Sequence, residues 1–189
     1  MVKHLGSRAS MYRVIISVIF LWTILPPPLA LSQNESTSWQ VYFSPRGGCT
    51  EAVVRELGKA KSTVLVQAYS FTSAPIARAL LDAHRRGVNV EVILDKSQRT
   101  ERYSAATFLY NSGILVKIDA QHAMAHSKVM IIDGETVITG SFNFTRAAEE
   151  NNEENLLVVK DRAFAERYSK HWQEHAAHSQ IYVGRVQQE

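Results

Sequence analysis

The residues best suited to chemistry sit in one short stretch, from His126-Ser127-Lys128 through Asp133-Gly134 to Gly140-Ser141-Phe142-Asn143. His126 and Lys128 are two apart at the start of an apolar run, which places both side chains on one face of a strand. Ser141 and Asn143 repeat that spacing at the far end. Asp133-Gly134 predicts a tight turn, so that the second strand returns antiparallel beside the first. An imidazole, an ammonium, a hydroxyl and an amide then meet at one end of a hairpin. Such a set suits a phosphodiester. Lys128 supplies positive charge for a non-bridging oxygen, and Asn143 and Ser141 add donors. His126 can act as nucleophile or proton carrier near neutral pH. Gly140, lacking a side chain, would let a substrate approach the backbone closely. No cluster of acids and histidines with metal-ligand geometry lies beside the stretch, so the expected chemistry uses fixed protein charges, with no metal and no cofactor.

The surrounding pattern is that of an α/β domain. Trp39 to Phe43 alternates like a short strand. Thr50 is placed to cap a helix from Glu51 to about Lys61. Thr63 to Tyr69 is a near-continuous apolar run, as in a buried strand. Ala74-Pro75 opens a helix that Gly87 ends. Val88 to Leu94 predicts a strand, Arg99 to Asn111 a helix, and Ile114 to Ile118 another strand. Ser127 to Ile132 and Thr136 to Thr139 form the hairpin, Asn155 to Val159 a further strand, and Arg162 to about Ala177 a closing helix. Strands alternating with helices imply a mixed β-sheet flanked by helices on both faces.

The hairpin stretch resembles the signature of the phospholipase D superfamily, H-x-K-x4-D-x6-G-S-x-N. His126, Lys128, Asp133, Gly140, Ser141 and Asn143 fill its fixed positions. The stretches Gln67 to Ser73, Val129 to Thr145 and Ala148 to Leu157 look like the small bacterial Nuc-type endonucleases of that superfamily. The resemblance implies a phospholipase D/nuclease-like sandwich and a site made from two copies of the motif. Most members carry both in one chain; this chain carries one, and Nuc-type members pair two chains in a homodimer. It implies further that His126 of one subunit forms a phosphohistidine while His126 of the other protonates the leaving oxygen and then activates water. Lys128 and Asn143 would hold the phosphoryl oxygens, with Ser141 a secondary donor. Glu154 matches the position of a family glutamate that fixes the nucleophile's tautomer. Asp133 matches a mainly structural position at the hairpin turn.

Other chemistry-bearing residues have plainer readings. His122 reads as loop. His171-Trp172-Gln173-Glu174-His175 matches an inverted zinc-protease pattern, but too few residues follow for its third ligand, so His171, His175 and His178 read as one face of the last helix. Glu149, Glu150, Glu153 and Glu154 form an acidic run expected to be mostly solvated, with only Glu154 turned inward. Lys59, Lys61, Arg85 and Arg86 read as helix-end charges.

Composition narrows the class. The chain has 189 residues, 46% of them apolar, enough for one globular domain. Its single cysteine, Cys49, excludes a disulfide framework and a cysteine-based zinc finger. Lys3, Arg8 and Arg13 carry all the excess charge: without residues 1–32, the 21 basic and 18 acidic side chains become 18 and 18. Net charge therefore gives no argument for a nucleic-acid partner. Those basic residues, the apolar run Val14 to Leu25, the break at Pro26 to Pro28, and Ala30 and Ser32 have the layout of a signal peptide. Met11 is an alternative start. The expected organisation is a signal peptide over residues 1–32, cleaved after Ser32, a polar linker over 33–38 and one catalytic domain over 39–189, periplasmic or secreted. Stable membrane association is not expected once the leader is gone.

Three functions fit this sequence. The first is a metal-independent, non-specific endonuclease acting on DNA, with RNA a further candidate substrate. The second is a phospholipase D or cardiolipin-type lipid phosphodiesterase, which should show an apolar rim or an amphipathic membrane helix. The third is a nucleic-acid binder with a relict site, against which the intact His126-Lys128-Asn143 set argues.

Overall fold

The computed structural model describes residues 37–184. The leader, the expected cleavage site and all but the last two residues of the linker lie outside the described residues. Among the described residues, no helix is long and apolar enough to cross a membrane.

Near-continuous apolar runs form the middle of the sheet, where both faces are covered. β2 (Thr63–Ala68) pairs parallel with β3 (Asn89–Asp95) and antiparallel with β5 (Lys128–Ile132). β3 continues parallel to β4 (Leu115–Asp119), and β8 (Gln180–Ile181) closes that edge. On the other side β5 pairs with β6 (Thr136–Gly140), then comes β7 (Glu154–Lys160), and β1 (Ser38–Ser44) forms the edge. The strand order is β1-β7-β6-β5-β2-β3-β4-β8, a mixed eight-stranded sheet.

α1 (Cys49–Lys59), α2 (Ala74–Arg85) and α3 (Ala106–Asn111) cover one face, burying Val53, Leu57, Ile76, Leu80 and Leu109 against alternate strand residues such as Val64, Val66 and Met130. α5 (Arg162–His178) covers the other, seating Ala165 and Trp172 on Ile93, Val129, Ile131 and Val137. The indole of Trp172 donates to the Val66 carbonyl at 2.9 Å, which fixes α5 across the strands. This is the α/β architecture with helices on both faces that the alternating pattern implies.

Several local expectations are corrected. Thr50 does not cap α1. Gly48 is the cap residue, in the left-handed region at φ 82°, and the Glu149 carboxylate accepts from the Gly48 and Thr50 amides at 3.3 and 2.7 Å. Glu149 belongs to α4 (Arg146–Glu150), an element the sequence pattern did not show, so it is half-buried and bonded rather than solvated. The helix expected over residues 99–111 is a 3₁₀ turn at Lys96–Arg99 and, separately, α3. Between them the Ala105 amide donates to the Phe71 carbonyl at 2.8 Å and the Ser104 hydroxyl accepts from the Ala106 amide at 3.2 Å. Those bonds take the amides a continuous helix would use. The hairpin turn has three residues, Asp133 to Glu135, with Ile132 opposite Thr136.

Candidate active site

β5 and β6 place the motif. The strands align so that Lys128 starts β5 where Gly140 ends β6, and Glu154 starts β7 at that same end of the sheet. An open cleft of about 410 Å³ lies there, lined by His126, Lys128 and Gly140 together with Arg167, Tyr168 and His171 from α5.

His126 is exposed and Lys128 is 6% exposed. The Lys128 ammonium donates to the His126 carbonyl at 2.7 Å and lies 3.0 and 3.2 Å from the two ring nitrogens. Tyr69 backs both: its ring centre is 4.4 Å from the imidazole centre and 5.1 Å from the ammonium. Burial lowers the Lys128 pKa from its ordinary value, and the nearby Glu154 carboxylate offsets part of that effect. The cleft thus holds a cation kept mostly out of water, beside a solvent-facing imidazole. Neither the lining from the sheet nor that from α5 includes a carboxylate.

The other motif residues sit at the same end in different roles. β6 stops at Gly140, so strand alternation does not carry Ser141 and Asn143 onto one face. The Ser141 hydroxyl accepts from the Asn155 amide at 3.0 Å and from its side-chain nitrogen at 3.3 Å, which ties the segment to β7. Asn143 is half-buried, with its Oδ1 enclosed and without a partner, held between the fully buried Phe142 and Phe144. Neither lines the cleft. Glu154 accepts from the Asn152 side-chain nitrogen at 3.3 Å.

Gly140 has φ 144°, and a side chain there would put its Cβ 2.3 Å from the Asn155 carbonyl oxygen. The close approach that requires this glycine comes from β7, whatever a substrate does. Asp133 lies at the opposite end of β5 and binds the start of β2. It accepts from the Lys61, Ser62 and Thr63 amides at 2.9, 2.8 and 3.0 Å.

The chain as a whole resembles known proteins. The family model "Cardiolipin synthase, PLD-like domain" matches residues 53–176. The chain belongs to the phospholipase D superfamily. A phospholipase D of Rickettsia conorii is 41% identical over 142 residues, which cover 75% of this chain and 71% of that protein. A mitochondrial cardiolipin hydrolase of Xenopus laevis is 36% identical over 121 residues, covering 64% of this chain and 57% of that one. Nuc, a phospholipase D family member of Salmonella typhimurium, superposes with a TM-score of 0.76 at 39% identity, covering 80% of this chain and all of Nuc. This phospholipase D superfamily chain is a phosphodiesterase, and its mixed sheet is the superfamily's fold.

Outside the motif, sequence reasoning passed over Tyr69, Arg167 and Tyr168. Only tertiary structure brings α5 to the hairpin, so no spacing rule reveals them. Lys59 and Arg86, weighed as helix-end charges, are bonded in the α1–α2 region: Lys59 to Glu56 at 2.8 Å and Arg86 to the Leu57 carbonyl at 2.9 Å. His122 does not line the cleft. Its ring points to Asp119, as do those of His175 and His178. Burial would raise the Asp119 pKa, but the bonds from His175, His122 and His178 outweigh it and hold the carboxylate well below its usual range.

Proposed function

We propose that this chain is an exported, metal-independent endonuclease that hydrolyses DNA, and RNA as well, in a site shared by two copies. The observation that carries this reading is an apolar sheet face beside the single motif. α5 packs on β6, β5, β2 and β4. On that face of β1, Trp39 and Phe43 remain 68% and 64% exposed, and Val41 between them is also exposed. Leu157 and Val159, opposite Val41 and Trp39 on β7, are half-buried. The stripe leads to Phe43 and Asn155, next to the Gly140 end of β6. A patch of this kind calls for a partner surface. A second copy set against it by two-fold symmetry would bring a second His126 toward the first.

In that arrangement one His126 nitrogen attacks phosphorus and forms an N–P bond as the P–O bond to the leaving strand breaks. The partner subunit's His126 gives its proton to the departing oxygen. It then takes a proton from water, whose oxygen attacks phosphorus and releases the imidazole. Lys128, with Asn143 and Ser141 after rearrangement on substrate binding, would neutralise the phosphoryl oxygens. Glu154 would act through the imidazole as a positioning residue. A lining with Lys128, Arg167 and no carboxylate suits a phosphate and offers little to a divalent ion.

The polar rim from Arg167, a permanent cation, and His171 favours a nucleic-acid backbone over acyl chains. The lipid reading is tested beside it. Circular DNA and cardiolipin vesicles are offered separately to the same enzyme, with its mass measured by light scattering. The proposal expects nicked and linear DNA, intact cardiolipin and a dimer. Cardiolipin turnover without DNA cleavage, or full activity as a monomer, would overturn it.

A further inference from the structure

Four side chains that the proposed chemistry does not use converge at the other end of α5. Asp119 ends β4 and is wholly buried. Its Oδ2 lies 2.8 Å from Nδ1 of His175, 2.9 Å from Nδ1 of His122 and 3.3 Å from Nε2 of His178. Its Oδ1 accepts from the Gln121 amide at 3.1 Å. The three imidazole rings pack around the carboxylate with centres 4.9, 5.3 and 5.2 Å apart.

Three imidazoles thus converge on one buried carboxylate, with Nδ1 of His122 also 3.2 Å from its Oδ1. A cation among them takes one lone pair from each nitrogen and one from the carboxylate, so all four donors are satisfied together. The four donor atoms lie within 4.8 Å of one another. Tetrahedral bonds of about 2.0–2.1 Å would place neighbouring ligand atoms about 3.3 Å apart. The oxygen–nitrogen separations already approach that edge, and modest ring rotations close the rest.

We propose that Asp119, His122, His175 and His178 form a binding site for a divalent transition-metal ion, zinc above all. Three imidazoles and one carboxylate suit zinc, and not magnesium or calcium, which favour all-oxygen shells. Four protein ligands complete a tetrahedron without an open position, which makes the role structural. The ion would clasp the last turn of α5 to the end of β4 and to the loop that leads into β5. That loop is already held by the Ala125 amide donating to Asp95 at 2.8 Å and by Lys96 donating to the His122 carbonyl at 3.1 Å. His126 follows His122 by four residues, so the ion would steady the segment that carries the nucleophile while standing outside the cleft. The inference does not depend on the nuclease reading.

The test is titration of the purified, tag-free protein after chelator treatment, with zinc by calorimetry and with cobalt(II) by visible absorption. One zinc per chain is expected, with the intense d–d bands of four-coordinate cobalt and a raised melting temperature. His178→Ala and Asp119→Asn should each weaken binding by at least about tenfold. His171→Ala, one turn away on α5, should keep the one-to-one stoichiometry. His126→Ala should bind as the parent does, whatever its catalytic defect, so failure of the phosphodiesterase mechanism would leave this result standing. No saturable uptake of either ion by the parent protein at micromolar concentration would overturn the proposal, whether or not the variants fold. So would undiminished binding in a folded Asp119→Asn, His178→Ala double variant.

Discussion

The Lys128 ammonium stands 3.0 Å from Nδ1 of His126 and donates to that residue's carbonyl at 2.7 Å. The cation that would receive a phosphate therefore already touches the group that would attack it. Lys128→Met keeps the bulk and removes the charge. It should lower kcat by about 10²–10³-fold, the range for loss of one charge-stabilising donor, with little change in melting temperature. Steady-state kinetics beside a thermal melt would check this.

Glu154 moderates the alkaline limit of that function. Burial lowers the Lys128 pKa, and Glu154 opposes the shift. Activity should fall at high pH as Lys128 loses its proton, at a lower pH than an ordinary lysine would give. Glu154→Gln removes the opposing charge, so the limb should move to still lower pH. A limb that stays put in the variant would separate Glu154 from Lys128.

Asp133 should govern acid stability and not catalysis. Burial would raise its pKa, but the amides of Thr63, Ser62 and Lys61 outweigh that and hold it below the ordinary value. The stabilisation is complete above the unfolded-state value of about 3.9 and is lost as pH falls through the folded one. Asp133→Asn should cost about 1–3 kcal/mol at pH 7 and reduce the loss of stability on acidification. Urea melts at pH 7 and pH 3 measure both.

Cys49 is fully buried at the start of α1. Burial, with Glu149 and Glu51 nearby, pushes its thiol pKa up to about 11. The native protein should leave a thiol reagent almost unreacted at pH 8, and denaturation should release one equivalent per chain. Rapid labelling of the folded protein would contradict this placement.

Much of this was legible in sequence because it is local. The hairpin, the buried β2 run and the Pro75-led α2 each carry their own periodicity or turn residues. His126, Lys128 and Gly140 follow from the hairpin's register. Ser141 and Asn143 were harder, since β6 ends at Gly140 and alternation fails there. α4 and β8 are too short for a periodic signal. Glu149 as the cap of α1 joins residues about a hundred apart in sequence. The Asp119 cluster joins a strand end, a loop and a helix, so His175 and His178 read only as a helix face until Asp119 and His122 appear beside them.

The central claim is that His126 drives phosphodiester hydrolysis without a metal. The most direct test is cleavage of circular plasmid DNA at 25 °C in excess EDTA, with His126→Ala in parallel and circular dichroism confirming that both remain folded. The account predicts nicked and linear DNA from the parent protein in EDTA and none from the variant. Cleavage that EDTA abolishes in a folded parent protein, or that survives in His126→Ala, would contradict it.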